Sequence, residues 1–371
     1  MYSPSARTGF LPLDQLHLLV TRLMQLGYQC LGPAVENGAI VMRELDAPDR
    51  LPRGLQAEQA PGRYRLTQDP QHRYFAWANG PQAIKPQAFA PKESLWRVAR
   101  DEAGALQFAA VMPATPAQAI IGVRACDLAA LALQDVHFLR EGRRDPHYAQ
   151  RREQLFLVAV QCAEPGATCF CASTGDGPTP TAGYDLALAE LADGFVAVAG
   201  SAKGEAVLRA LNLSPATPQQ IDAAHQQGQA AAAAQTRSLP GRNLRDALMS
   251  RLEHPRWDEV ASRCLACGNC TAVCPTCFCH AEVDEPAFDG QSSEHVRMWD
   301  SCFGETHGHL HGFNVRPDIR SRYRQWLTHK LATWHDQFGR SGCVGCGRCI
   351  SWCPVGIDIT AEVAALAADA P

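Results

Sequence analysis

The sequence predicts an α/β domain followed by an α-helical domain that is rich in cysteine. Apolar runs of five to seven residues alternate with helical patterns in the first part of the chain, which is typical of an α/β fold. Eleven of the sixteen cysteines lie from residue 264 onward, and none lies between 172 and 263. We therefore expect an α/β domain over 1–212, a linker or surface helix over 213–240, and the helical domain over 241–371.

The N-terminal region carries signals of both helices and strands. Apolar residues at helical spacing over 16–26 predict a helix with Asp14 as its cap, and the pair Asn37-Gly38 predicts a turn between two strands. Buried strands are predicted over 119–123, 154–160 and 195–199. We expect Asp127 to cap the helix that follows the first of these strands. Strands that alternate with helices predict a largely parallel sheet.

Two cysteine blocks in the C-terminal region share one spacing. Both read C-x2-C-x2-C-x3-C-P, and they begin at Cys264 and Cys343. Bacterial ferredoxins bind [4Fe–4S] clusters with this run, and in two-cluster proteins the fourth cysteine of each block ligates the other cluster. The predicted ligand sets are Cys264, Cys267, Cys270 and Cys353 for one cluster, and Cys343, Cys346, Cys349 and Cys274 for the other.

Zinc is the alternative for these blocks. Structural zinc sites usually combine two separated CxxC pairs in one tetrahedral centre, and a triple repeat with a fourth cysteine before proline fits that pattern poorly. The long segment between the blocks also carries helical signals over 318–339, with Gly339 at the end. A compact β-rich ferredoxin joins its motifs by a much shorter link, so the pattern is similar to that of an α-helical ferredoxin domain.

Four further cysteines lie near strand ends in the N-terminal region. They are Cys126, which follows the strand at 119–123, and Cys162, Cys169 and Cys171, which follow the strand at 154–160. Sites in open α/β sheets form beyond the carboxyl ends of strands. These four thiols predict a third [4Fe–4S] cluster; the alternative is that they are small buried apolar residues, as free cysteines often are.

The remaining cysteines and a histidine group have no clear role in the sequence. Cys277, Cys279 and Cys302 are interpreted as packed thiols near the clusters, with ligation of a further cluster as the alternative. Cys30 is interpreted as structural. The alternating histidines, which we interpret as packed or solvated neighbours of a cluster, are His307, His309 and His311.

Composition excludes several classes of function. The net charge of −4 gives no sign of a surface for nucleic acid or anionic membranes. No run of about 18 apolar residues indicates a transmembrane helix, and the first twenty residues lack the features of a signal peptide, so we predict a cytoplasmic protein. No P-loop, GxGxxG or Ser/His/Asp signature indicates a catalytic centre.

Several motifs together resemble a known family. GVRACDLAALALQDVHF, CAEPGATCFCAS, WDSC, HGFNVR, CVGCGRC and CPVGIDI occur here in the same order as in the β subunit of sulfhydrogenase-type, NAD(P)-linked [NiFe] hydrogenases. The resemblance covers residues 100 to 360. The family's RPCD is RACD here, with Ala125 in place of proline, which leaves the candidate ligand Cys126 unchanged. The corresponding iron–sulfur subunit of anaerobic sulfite reductase is similar.

The resemblance implies an electron-transfer subunit without a catalytic centre of its own. In that family the β subunit carries iron–sulfur clusters. It associates with a flavin subunit that reacts with NAD(P)H, and with catalytic subunits. We therefore expect a cytoplasmic subunit of an NAD(P)-linked [NiFe] hydrogenase, with two [4Fe–4S] clusters and a candidate third, and no contact with nucleic acid or membrane. The alternatives are the iron–sulfur subunit of an anaerobic sulfite reductase, and a structural or redox-sensing iron–sulfur module.

Overall fold

A computed structural model describes residues 7–78, 80–82 and 84–368. Within these residues no helix combines the length and the apolar composition needed to cross a membrane. The strands are β1 Thr8–Pro12, β2 Gln29–Glu36, β3 Ala39–Glu44, β4 Leu55–Ala60, β5 Arg63–Gln68, β6 Lys92–Arg100, β7 Leu106–Ala110, β8 Gln118–Val123, β9 Leu155–Val160, β10 Leu186–Glu190, β11 Gly194–Ala199, β12 His280–Pro286, β13 Ser292–Trp299, β14 His309–Leu310 and β15 Phe313–Asn314.

The α-helices that the structure describes run from four to sixteen residues in length. They are α1 Leu16–Gln25, α2 Lys85–Ala88, α3 Ala125–Phe138, α4 Pro146–Glu153, α5 Cys171–Thr174, α6 Ala202–Leu211, α7 Pro218–Ala233, α8 Arg245–Met249, α9 Arg256–Arg263, α10 Asn269–Ala272, α11 Ile319–Thr328, α12 Trp334–Phe338, α13 Arg348–Ser351 and α14 Ile359–Ala367. A π-helical turn, His329–Thr333, joins α11 to α12.

A seven-stranded mixed sheet forms the N-terminal core. Its order is β1-β11-β10-β9-β8-β2-β3, and the predicted strands at 119–123, 154–160 and 195–199 occur as β8, β9 and β11. The β10–β9, β9–β8 and β8–β2 pairs are parallel, while the outer pairs are antiparallel. The prediction of a parallel sheet therefore holds for its centre. The outer β2–β3 pair is antiparallel because a two-residue turn at Asn37-Gly38 can join only antiparallel strands.

Both predicted helix caps in this region are wrong. A 3-10 turn over Leu13–Gln15 occupies the position that Asp14 would need, and α1 begins after it without a side-chain cap. Asp127 lies inside the first turn of α3, whose N-cap is Arg124. Its carboxylate instead forms a buried ion pair with Arg348, at 2.9 Å.

Helix α7 lies within the segment 213–240. Thr217 and Gln220 form a capping box at its start, in which each side chain bonds the other residue's backbone N–H. Buried Ala224 and Gly228 face the sheet, and the Gln161 side chain donates a hydrogen bond to the Ala224 carbonyl at 2.8 Å. The segment is thus a packed surface helix with short connections.

The C-terminal region has a separate aromatic and aliphatic core, to which Trp257, Tyr323, Trp326 and Leu327 contribute. Helices α9 and α11 meet there. The hairpin β12–β13, which lies between the two cysteine blocks, leaves this core and pairs with β6 of the N-terminal region. One four-stranded sheet, β12-β13-β6-β7, therefore connects the two halves of the chain.

Candidate metal centres

The two cysteine blocks fold into the same local structure. In the first block Gly268 adopts φ +75 and precedes the single helical turn α10; in the second, Gly347 adopts φ +72 and precedes α13. Both values lie in the left-handed region that glycine tolerates best. The first cysteine of each block accepts an N–H from two residues on, at 3.4 Å, in the bonds Ala266 N to Cys264 Sγ and Gly345 N to Cys343 Sγ.

The fourth cysteine of each block lies beside the other block. Burial and then the charge of Cys353 raise the pKa of the Cys264 thiol, and Cys353 acts in the same way on Cys270. In the second block, burial raises the pKa of Cys343, Cys346 and Cys349, and the charge of Cys274 adds to the rise at each of them. The structure thus forms two groups of four thiols: site 1, Cys264, Cys267, Cys270 and Cys353; and site 2, Cys274, Cys343, Cys346 and Cys349.

Site 1 surrounds a cavity of about 460 Å³, including the part open to solvent. All four site 1 thiols line it, and the side chains of Phe303, Tyr323 and Trp326 form an apolar wall. Cys267 is the exposed cysteine of the group. Four thiols around a cavity with an apolar wall suit a [4Fe–4S] cluster close to the protein surface.

Site 2 is more deeply buried and lies beside two cationic side chains. The Lys330 ammonium lies 3.3 Å from Cys274 Sγ and 3.0 Å from Thr276 Oγ1. Burial alone would lower the pKa of Lys330, but the neighbouring thiolates, Cys274 foremost, raise it well above its ordinary value, so the side chain carries a positive charge. The second cation, Arg348, is paired with Asp127 and also faces Cys346.

The structure also brings the four N-terminal cysteines together, as site 3: Cys126, Cys162, Cys169 and Cys171. Burial, followed by the charges of Cys169 and Cys162, raises the pKa of Cys171. Burial also raises the pKa of Cys126, and the charge of Cys171 contributes to that rise. Polar side chains point at the group from two sides: Gln235 Nε2 lies 3.2 Å from Cys171 Sγ, and an Arg124 guanidinium nitrogen lies 3.9 Å from Cys162 Sγ.

Sites 2 and 3 are in direct contact. The Cys169 thiol lies 3.8 Å from the Cys346 carbonyl oxygen, and the Phe170 N–H donates to the Gly345 carbonyl at 2.8 Å. A side chain at position 345 would meet the Cys171 backbone nitrogen at 2.5 Å. Close approach of the second block to site 3 therefore requires glycine at this position.

The thiols do not form mononuclear sites. Across the described ranges, no three His, Cys, Asp or Glu side chains converge where a single metal ion could bind. Tetrahedral zinc needs four ligands at about 2.0–2.3 Å, so this spacing disfavours the zinc alternative. The donor set of four thiolates at each of sites 1 and 2, with backbone N–H groups directed at sulfur, fits a [4Fe–4S] cluster.

The remaining cysteines and histidines divide into separate environments. Cys277 contacts Cys274, whereas Cys279 faces Cys302 and His307. The three alternating histidines do not converge, because His309 and His311 are exposed while His307 Nδ1 pairs with Asp300 at 2.7 Å. Cys30 is buried in the N-terminal core, away from the sites.

The charged residues near the thiols were not predictable from the sequence. Lys330 lies in the pair HK at 329–330 and Arg348 lies within CVGCGRC at 343–349, but neither motif assigns the cation a role. The π-helical turn turns Lys330 towards site 2, and no sequence pattern indicated that turn.

The fold and the two thiol sites define an iron–sulfur protein of the dicluster class. Residues 263–357 match the family described as 4Fe-4S dicluster domain, which implies two [4Fe–4S] clusters. This match confirms the predicted fold class, a mixed α/β region followed by a dicluster domain.

A known protein places the chain more closely. The chain is 34% identical over 242 residues to sulfhydrogenase 2 subunit beta of Pyrococcus furiosus, and the alignment covers 64% of this chain and 71% of the relative. The chain belongs to the sulfhydrogenase β-subunit family, which confirms the resemblance seen in the motifs. No solved structure matches the chain.

Proposed function

We propose that this chain is the electron-transfer iron–sulfur subunit of a cytoplasmic multi-subunit oxidoreductase, an NAD(P)-linked [NiFe] hydrogenase. The Pyrococcus relative is the β subunit of a sulfhydrogenase, and a β subunit is one chain of a larger assembly. The observation that carries the proposal is the series of three groups of four thiols, each next to the following one. The partners would be the catalytic subunits and a flavin subunit that reacts with NAD(P)H.

The proposed ligands are the thiols of sites 1, 2 and 3. Sites 1 and 2 would hold the two clusters of the dicluster domain, with Cys353 and Cys274 exchanged between the blocks. Site 3 would hold a third [4Fe–4S] cluster, since it offers four thiols in one place. The clusters supply one-electron transfer when bound. We likewise propose the division of the chain into 1–212, 213–240 and 241–371, of which residues 1–6, 79, 83 and 369–371 lie outside the described residues.

The order of the sites supports a path for electrons. Cys346 of site 2 lies against site 3, and the charge of Cys270 of site 1 acts on Cys349 of site 2. Site 2 therefore lies between the other two. Cys267 is exposed at site 1, so that end of the series is accessible to a partner protein. The chain's own contribution is to hold the thiols, exclude water from site 2 and place cations beside its sulfurs.

Iron counting tests the number of clusters. Protein purified anaerobically should contain about twelve iron atoms per chain if three sites are filled and about eight if only two are, at four per cluster. Cys169→Ala should lower the count by about four, whereas Cys30→Ala, at a buried cysteine far from the sites, should leave it unchanged. A count near eight in both the parent and Cys169→Ala would remove site 3 from the proposal.

Activity of the purified complex tests the function. Cys349→Ala should abolish hydrogen evolution driven by NAD(P)H. The two half-reactions with artificial dyes, one at the flavin and one at the catalytic subunits, should persist. Full turnover in a variant that lacks the site 2 cluster would instead favour a structural or sensing role. Sulfite reduction by a complex that has no hydrogenase activity would assign the chain to the anaerobic sulfite reductases.

A further inference from the structure

Two cysteines outside the three sites lie together at one end of a hairpin. Cys279 directly precedes β12, and Cys302 follows three residues after β13. The ladder continues past the strands, because the Asp300 N–H donates to the Cys279 carbonyl at 3.0 Å. The register therefore pairs Cys279 with Asp300, and the turn that begins at Ser301 brings Cys302 back to Cys279, so that the two side chains interact directly. Both are partly buried.

An acid and an imidazole complete the group. His307 Nδ1 lies 2.7 Å from Asp300 Oδ2, which leaves Nε2 to face Cys279. The other oxygen of Asp300 accepts the Ser301 N–H at 2.7 Å, so the carboxylate is held in place. The order Asp300, His307, Cys279 is the arrangement in which a carboxylate orients a histidine and the histidine stabilises a thiolate.

The pKa values of the two thiols are shifted in opposite directions. The hydrogen bond from Cys302 and the bond from His307 lower the pKa of Cys279 to about 4, against the opposing effect of burial. The same pairing raises the pKa of Cys302, which therefore keeps its proton. The thiolate is the reactive form of cysteine. Cys279 is thus suited to attack and Cys302 to act second.

The geometry argues against the alternative roles for this pair. Each of sites 1, 2 and 3 already has four thiols, and Cys277, the remaining neighbour in sequence, faces Cys274 and not Cys279. A mononuclear metal would need at least three convergent ligands, and no such group occurs among the residues that the structure describes.

We propose that Cys279 and Cys302 are a redox-active dithiol that undergoes exchange with disulfides, with Cys279 attacking and Cys302 resolving. In the first step the Cys279 thiolate forms a bond to one sulfur of a disulfide R–S–S–R and releases one RS⁻. In the second step Cys302 loses its proton and attacks Cys279, which forms the Cys279–Cys302 disulfide and releases the second RS⁻. The chain is oxidised by two electrons, the substrate disulfide is reduced to two thiolates, and the proton of Cys302 is released.

Thiol mapping of the full, cluster-loaded protein tests this. The protein is equilibrated anaerobically in glutathione buffers of stepped potential, alkylated and examined by mass spectrometry. We expect Cys279 and Cys302 to lose their labels together in one two-electron transition, and to appear as a linked pair lighter by two hydrogens. Independent labelling of the two cysteines at every potential would overturn the proposal.

Three variants separate this role from structural or ligand roles. In Cys302→Ser, Cys279 should accumulate as a mixed disulfide with glutathione, because the resolving thiol is absent, while the iron content stays at the parent value. In His307→Gln, the pH at which the rate of Cys279 alkylation reaches half its maximum should shift upward, because the imidazole no longer stabilises the thiolate. Cys30→Ser should change neither reading. Loss of about four iron atoms in Cys302→Ser would instead make Cys302 a cluster ligand and overturn the proposal.

Discussion

The ammonium of Lys330 lies 3.3 Å from the sulfur of Cys274, in a buried position between the two cysteine blocks. The lysine comes from the π-helical turn that joins α11 to α12, and the cysteine comes from the end of the first block. The contact places the positive charge of Lys330 next to Cys274, a proposed ligand of site 2. In the part of the chain that the structure describes, site 1 has no comparable lysine or arginine among the groups that act on Cys264 and Cys270.

Replacement of Lys330 by methionine should lower the reduction potential of the site 2 cluster. A cation near the sulfurs stabilises the reduced, more negative form, and its hydrogen bond does the same. We expect a fall of about 59 mV or more, since that value corresponds to a tenfold change for one electron. Redox titration followed by EPR measures it. Lys203→Met, on the exposed face of α6, is the control, and equal potentials in the two variants would contradict the assigned role.

Exchange of the fourth cysteine between the blocks predicts which cluster each variant loses. Cys274→Ala lies in the first block but should remove the cluster of the second block. Its EPR spectrum should therefore match that of Cys343→Ala and differ from that of Cys264→Ala. Both losses correspond to about four iron atoms per chain. A Cys274→Ala spectrum that matches Cys264→Ala would show that each block serves its own cluster.

Gly345 and Gly290 both have positive φ, so alanine substitutions at these two positions distinguish the cost of backbone strain from the cost of a steric clash. Gly345→Ala would place a methyl group 2.5 Å from the Cys171 backbone, whereas Gly290, at φ +67, has nothing within 4 Å of that position. Both substitutions incur the left-handed penalty of about 1–2 kcal/mol. Only Gly345→Ala should also reduce iron at sites 2 and 3, because the two segments must separate. Anaerobic chemical denaturation and iron analysis measure the two effects, and equal losses in both variants would refute the packing argument.

Loss of one partner of the buried ion pair Arg348–Asp127 should destabilise the protein more than loss of both. Arg348→Met leaves the Asp127 carboxylate buried near thiolates, and we expect a loss of about 3–5 kcal/mol in the free energy of unfolding. The double variant Arg348→Met/Asp127→Leu should regain most of that loss, since paired replacement by apolar residues is often close to neutral. A double-mutant cycle by anaerobic denaturation measures the coupling. Additive losses in the double variant would show that the two charges act separately.

The strands could be predicted from local sequence, whereas the helix caps could not. The strands β8, β9 and β11 were predictable because each is a short apolar run whose burial depends on local composition. The two cap predictions failed for different reasons. Asp14 lies inside a 3-10 turn that precedes α1, and Asp127 pairs with Arg348, which is more than 200 positions away in the sequence.

The sequence by itself determined the cysteine spacing, and with it the dicluster class, because three thiols at intervals of three residues can reach one cluster from a single loop. It also indicated site 3, since strand ends at one edge of a sheet bring their next residues together. Only the tertiary structure placed Lys330 beside Cys274, Arg348 beside Asp127, and Cys279 beside Cys302 and His307. These contacts join segments that are distant in sequence, and such contacts form only when the packed chain brings charged and polar groups together away from water.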